Sequence, residues 1–160
     1  MDIVIRKATM DDLEIIQTLN NELFKLEYEN FDPSLKVGWP FGIDGKEYFS
    51  DLIENQFVLI ACAEDKIVGY LAGSINVEES YNIKSLAELD NMFIKEEYRK
   101  YGIGTKLFQE FKNYCRQLDI DEIKVTASAK NINAINFYKK NGFEDFDVTF
   151  KMLLIWNIKL

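Results

Sequence analysis

An α/β domain is what the chain predicts, with a mixed, mostly antiparallel sheet of about seven strands flanked by helices. Three observations carry the prediction. Strand-like apolar runs at 56–63, 67–76 and 86–94 follow one another closely, the first two joined by the turn Ala63-Glu64-Asp65-Lys66, as in antiparallel neighbours. A strand–helix–strand–helix alternation then begins near residue 86, which demands a sheet covered by helices. The 160 residues, 48% hydrophobic and 14% aromatic, supply one core and fit one domain over 1–160.

The elements follow in order. Residues 3–7 (IVIRK) read as a short strand. Thr9 caps a helix whose first turn carries Asp11 and Asp12, where the helix dipole favours acids. Leu13, Ile16, Leu19, Leu23 and Leu26 continue it at helical spacing. Residues 28–45 break the period and hold both prolines, so they form a loop, its aromatics Tyr28, Phe31, Trp39 and Phe41 marking a binding rim. A short helix follows near 45–54, then the three strands. A long helix spans about 103–118, with Leu107, Phe111, Tyr114 or Cys115, and Leu118 on one face. A strand at 122–127 and a helix at 132–140 follow, the latter stopped by Asn141-Gly142. Residues 143–156 read as two closing strands. The order is β-α-α-β-β-β-α-β-α-β-β.

Composition removes whole classes of function. Lys+Arg 19 against Asp+Glu 27 gives a net charge of −8, which argues against a nucleic-acid surface. The chain has no histidine, so Ser-His, Cys-His and His-metal chemistry are excluded and no metal is expected. Cys62 and Cys115 lie in apolar surroundings and read as reduced, buried thiols. No leader pattern and no long apolar run is present, so a cytoplasmic protein without a membrane segment is expected.

The most informative stretch is 86–105, LAELDNMFIKEEYRKYGIGT. A strand runs through Arg99-Lys100-Tyr101-Gly102-Ile103-Gly104 straight into a helix. Unpaired N–H groups at a helix start attract an anion, and glycine lets it approach. Lys95, Arg99, Lys100 and Lys106 add positive charge in an acidic chain, and a pyrophosphate suits the place. The P-loop spacing is absent, and Leu107 stands where a dinucleotide fingerprint needs its third glycine. Leu89, Met92 and Ile94 are spaced three then two; a β-bulge near Asp90-Asn91 would put all three on the core side.

Arg99-x-x-Gly102-x-Gly104 after a hydrophobic strand resembles the pyrophosphate signature of the GNAT superfamily of acetyl-CoA-dependent N-acetyltransferases. Asn131, Ala134, Phe137-Tyr138 and Gly142-Phe143 resemble its later motif, and Ile5-Arg6, Ala8-Thr9 and Asp12-Leu13 its opening. The resemblance covers nearly the whole chain. It implies a GNAT acyltransferase fold with acetyl-CoA as cofactor, held by residues Arg99, Lys100, Tyr101, Gly102, Ile103, Gly104 and Thr105. It also implies backbone pairing of the pantetheine arm by Met92, Phe93 and Ile94, with Asn131, Phe137 and Lys140 contributing.

The same resemblance implies direct transfer of the acetyl group to a primary amine in a ternary complex. Tyr138 is then the acid that protonates the leaving thiolate, its ordinary phenol remaining protonated at neutral pH. Glu88 is the base, Asp90 the second candidate, and a water chain a third. Acids at Glu27, Glu29, Asp32, Glu78, Glu79, Glu144, Asp145 and Asp147 suggest a negative acceptor cleft, and Tyr28, Phe31, Trp39 and Glu88 are the expected acceptor contacts. A small cationic amine is the expected acceptor. A protein N-terminus or lysine, or a silent CoA-binding module, are the alternatives. A homodimer through the apolar ending FKMLLIW is possible, that ending serving equally as a last core strand.

Overall fold

The computed structural model describes residues 1–154. Five strands lie in one sheet, in spatial order β1-β2-β3-β4-β5. They are β1 (Ile3–Lys7), β2 (Phe57–Ala63), β3 (Lys66–Val77), β4 (Leu86–Ile94) and β5 (Glu122–Val125). The first four pair antiparallel and β4 with β5 pair parallel. The helices are α1 (Leu13–Asn30), α2 (Ile43–Asn55), α3 (Ile103–Gln117) and α4 (Ile132–Lys140). Mixed topology, element order and most boundaries follow the sequence pattern. Thr9 begins a short 3-10 turn, Met10–Asp12, before α1. Asp12 ties the turn down: its carboxylate accepts from the Thr9 N–H at 2.8 Å and from Arg6 at 2.8 and 2.9 Å.

Each face of the sheet carries its own core. Leu59, Ala61, Leu71, Ala87 and Leu89 meet Ile103, Leu107, Phe111 and Cys115 of α3. Val58, Ile60, Tyr70, Ala72 and Phe93 meet Ile16 and Leu19 of α1 with Phe49 and Leu52 of α2. Strands buried on both faces read as continuous apolar runs, which is why FVLIACA shows no alternation. On α3, Leu107, Phe111 and Cys115 are the buried stripe, while Leu118 lies past the helix end and is exposed. A Cβ on Gly73 would stand 2.6 Å from the Phe111 ring, so α3 seats directly on β3 at that residue.

Two irregularities in β4 shape the site. Ala72 opposes Asn91 while the next residue, Gly73, opposes Leu89, so Asp90 is the extra residue of a bulge. The bulge turns Leu89, Met92 and Ile94 all toward α3, as their spacing predicts. Beyond it, β4 loses its parallel neighbour: β5 pairs only from Leu86↔Glu122 to Leu89↔Val125. Among the described residues no strand pairs with the outer backbone edge of Asp90–Ile94, and the two strands fork.

The closing strands expected over 143–156 are not formed in residues 143–154; residues 155 and 156 lie outside the described part. Phe146, Val148, Phe150 and Met152 keep the two-residue alternation of a half-buried strand, yet all are exposed. Alternation specifies which side chains would be buried together, not whether a sheet edge receives them. The segment leaves α4 and brings Lys151 within 3.6 Å of Asp32, just beyond α1.

Candidate active site

The fork opens beside the glycine loop. Lys100 and Gly102 both take left-handed backbone conformations, with φ of 66° and 76°, which curls the chain before α3. Lys106 N–H donates to Gly102 C=O at 3.0 Å, closing the first helical turn. The N–H groups of Ile103, Gly104 and Thr105 precede any intrahelical acceptor, so they are free to meet an anion. A Cβ on Gly102 would meet nothing within 4 Å; open space lies over the loop. Gly104 instead faces Phe137, whose ring stands 3.3 Å from where a Cβ would be. Ile103 anchors the turn in the core, while Tyr101, Thr105, Lys106 and Lys100 remain exposed.

Arg99 holds the loop to the strand. Its Nε donates to Ile94 C=O at 2.8 Å, and its guanidinium lies 5.3 Å over the Phe93 ring. Asn131 caps α4, its Oδ1 accepting from Ala134 N–H at 3.1 Å. Lys140 is exposed on the last turn of the same helix. The free helix N–H groups, the space above Gly102 and the β4 edge at Met92–Ile94, unpaired by any strand among the described residues and with its Ile94 carbonyl held by Arg99, suit a pyrophosphate carrying an extended amide arm.

Tyr138 sits on α4, half-buried between aromatic neighbours, with Phe137 at 5.4 Å and Phe143 at 5.6 Å in edge-on contact. Burial, reinforced by the negative charge of Glu27, pushes its phenol up to about 12. Glu27 is itself raised by burial and then by Asp32. It belongs to the last turn of α1 rather than to the loop after it.

The two carboxylates on β4 are held differently. Glu88 lies 3.9 Å from Lys124 Nζ, which also binds Glu79 at 3.1 Å. Asp90, on the bulge, accepts from Ser74 Oγ at 2.6 Å. Burial raises the Asp90 carboxyl above the ordinary aspartate range and Glu88 adds to this, while the Ser74 hydrogen bond opposes it. Asn91 follows the bulge and faces the α1–α2 side. Its amide joins the hydroxyls of Tyr70 and Tyr48, at 2.5 and 3.1 Å.

Of the expected acceptor contacts, Trp39 reaches this group: it stacks on Phe24 at 5.8 Å and meets Tyr48 at 5.6 Å. Tyr28 lies elsewhere, in a surface hollow with Lys25, Glu29, Leu35 and Val37. Phe31 caps the C-terminal end of α1. Asp145 pairs with Lys139 at 3.1 Å and Asp32 with Lys151, so part of the expected acidic rim is neutralised locally. Sequence reasoning missed Tyr48, Tyr70, Ser74, Asn91 and Lys124 as site residues. The one available signal was polar Asn91 beside the broken spacing of β4.

A forked sheet beside an anion-ready helix start is the arrangement expected of a coenzyme A-dependent acyl transferase. The family described as acetyltransferase (GNAT) matches residues 20–143. An uncharacterized N-acetyltransferase of Methanocaldococcus jannaschii is 28% identical over 148 residues, 90% of this chain and 62% of that protein; the chain thus spans under two thirds of that relative. The spermidine N(1)-acetyltransferase of Thermoplasma acidophilum is 28% identical over 156 residues, 92% of each chain. An aminoglycoside acetyltransferase from an uncultured soil metagenomic sample shares the fold with a TM-score of 0.70 and 25% identity, covering 96% of this chain and 97% of that one. The chain belongs to the acetyltransferase (GNAT) family and is by class an acetyl-CoA-dependent N-acetyltransferase. Among the described residues no helix is long and apolar enough to cross a membrane.

Proposed function

We propose that the chain acetylates a small cationic amine. The observation that carries this is the carboxylate wall at the fork: Asp90 and Glu88 on β4, with Glu79 joined to Glu88 through Lys124. Such a wall concentrates a cation and favours its charged form, so a base is needed at the same place. The named acceptors of two relatives, spermidine and aminoglycosides, are polycationic amines, which agrees with that chemistry.

Acetyl-CoA supplies the acetyl group already activated as a thioester. Loop residues 99–105 bind its phosphates, and the edge of Met92–Ile94 pairs with its amide arm through the backbone groups that Arg99 leaves available. Asp90 takes the proton from the ammonium, directly or through one water. Burial raises its affinity for protons, whereas Lys124 lies 3.9 Å from Glu88. A strand N–H at the fork holds the developing oxyanion, and Tyr138 returns a proton to the sulfur.

An acceptor screen by thiol release tests the reading. Spermidine, aminoglycosides and simple diamines should exceed a peptide with a neutral N-terminal side chain in kcat/KM by about tenfold or more, the worth of one charge-assisted contact. Fastest turnover of the peptide would overturn it and favour protein N-termini.

We further infer that two copies pair through residues 146–154. Phe146, Val148, Phe150, Met152, Leu153 and Leu154 are each 70–93% exposed. The segment alternates as a strand does, and β5, four residues long, is the outermost strand. An amphipathic strand without an edge and an edge without a strand complement each other between two identical chains. Sedimentation at micromolar concentration should give a dimer, and Phe150→Asp with Met152→Asp should give a monomer. A monomer in the wild type sinks the idea.

A further inference from the structure

The polar network beneath the acceptor side of the fork has a direction. Asn20 Nδ2 donates to the Tyr70 hydroxyl at 2.8 Å, and Tyr70 donates to Asn91 Oδ1 at 2.5 Å. Asn91 Nδ2 then donates to the Tyr48 hydroxyl at 3.1 Å. A phenol has one proton. Tyr70 uses its proton on Asn91. Tyr48 receives a hydrogen bond, so it keeps its own proton to give, and it donates to no group among the described residues. Hydrogen bonds aligned head to tail polarise one another, which makes the last hydroxyl a better donor.

The surroundings fix that donor in place. Asn20 and Tyr70 are buried, at 2% and 0% exposure, and cannot turn to water. Tyr48 is half-buried, its ring held by Trp39 at 5.6 Å and Phe49 at 4.9 Å. Asn91, which donates to its hydroxyl, follows Asp90 directly on β4, and the negative charges of Asp90 and Glu88 act on that hydroxyl. Carboxylates and a committed donor therefore face the same space. The carboxylates serve the ammonium groups of any amine. The donor needs a lone pair, and the reacting nitrogen must keep its own free to attack. An oxygen of the acceptor molecule supplies such a lone pair without engaging the reacting nitrogen.

We propose that Tyr48 is an acceptor-binding residue whose hydroxyl donates to an oxygen near the reacting amine. Amines carrying a hydroxyl, ether or carbonyl oxygen, as in amino sugars and amino-acid derivatives, are then favoured over plain alkyl polyamines. Asn91 positions the donor by occupying one lone pair of the Tyr48 oxygen. The inference rests on the small-amine reading above.

A matched pair of acceptors tests it: 1,3-diaminopropan-2-ol and 1,3-diaminopropane, which differ by one hydroxyl. Their kcat/KM ratio is measured at saturating acetyl-CoA in the wild type, in Tyr48→Phe and in Asn91→Asp. The wild-type ratio should exceed that of Tyr48→Phe by about tenfold, the worth of one hydrogen bond. Comparing ratios cancels the differing basicity of the two diamines. Asn91→Asp replaces the Nδ2 donor with an acceptor and draws the Tyr48 proton inward. It should lose the preference with the phenol still present and the KM for acetyl-CoA unchanged. Tyr48→Phe decides alone if Asn91→Asp does not fold, because it keeps the ring packing. A ratio unchanged by Tyr48→Phe overturns the inference and leaves the small-amine reading standing. Turnover of neither diamine, with peptide N-termini acetylated, overturns both.

Discussion

Replacing Tyr138 with Phe is expected to lower kcat by about 10- to 1,000-fold, in the range of general acid effects, with the Kd for acetyl-CoA nearly unchanged. The ring would still pack against Phe137 and Phe143, because those edge-on contacts involve its faces and edges and not its oxygen. In the proposed mechanism what disappears is the proton offered to the departing sulfur. Burial holds the phenol near 12, so it stays protonated throughout the neutral range. The wild-type rate should therefore show no fall attributable to this group below about pH 11. Acceptors that react slowly should show the loss most clearly, since chemistry then limits turnover. Unchanged single-turnover rates in Tyr138→Phe would remove Tyr138 from the mechanism.

The second large effect is expected at the bulge. Asp90→Asn should reduce kcat/KM by roughly 10²- to 10³-fold, whereas Glu88→Gln should cost less than about tenfold. Lys124 lies 3.9 Å from Glu88, while the neutral hydroxyl of Ser74 is the group bound to Asp90. A base works only when ionised, so the rate rises with pH through the Asp90 pKa. That pKa is raised, first by burial, which places the rise above the ordinary aspartate range. Ser74 hydrogen-bonds the ionised form and so lowers the pKa; Ser74→Ala should move the rising limb to higher pH. Asp90→Asn should move it further, toward the pKa of the free amine. If Glu88→Gln produces the larger loss, the two roles are exchanged.

Much of this arrangement was legible in the residues themselves. The strand into a glycine loop and helix follows from the run ending at Ile94 and from Gly102 and Gly104. Even the bulge was signalled, because Leu89, Met92 and Ile94 cannot share a face of an unbroken strand. The closing strands were misread because the alternation from Phe146 to Met152 is genuine, while pairing depends on an edge that local sequence does not describe. The Tyr48 network lay out of reach for another reason. Its links join residues 21, 43 and 50 positions apart, and no periodicity announces contacts across such distances. Arg99 was assigned to the phosphates from its place in the motif. Its bond to Ile94 C=O gives it a second task, bracing the loop against β4.

The bulge at Asp90 has a consequence for how the enzyme could diversify. Upstream of it, odd-numbered residues of β4 face α3; downstream, even-numbered residues do. The strand is thus read in two frames, with the carboxylate at the frameshift. A deletion at that single position would merge the two frames into one unbroken strand and leave Leu89, Met92 and Ile94 on the face they already share. Substitution there likewise leaves both faces intact. Changes of charge or size at 88 and 90 can retune the acceptor while the half that pairs with the coenzyme keeps its phase. The carboxylate thus rides on a residue that the register does not need, so the strand can gain or lose it without repacking either face.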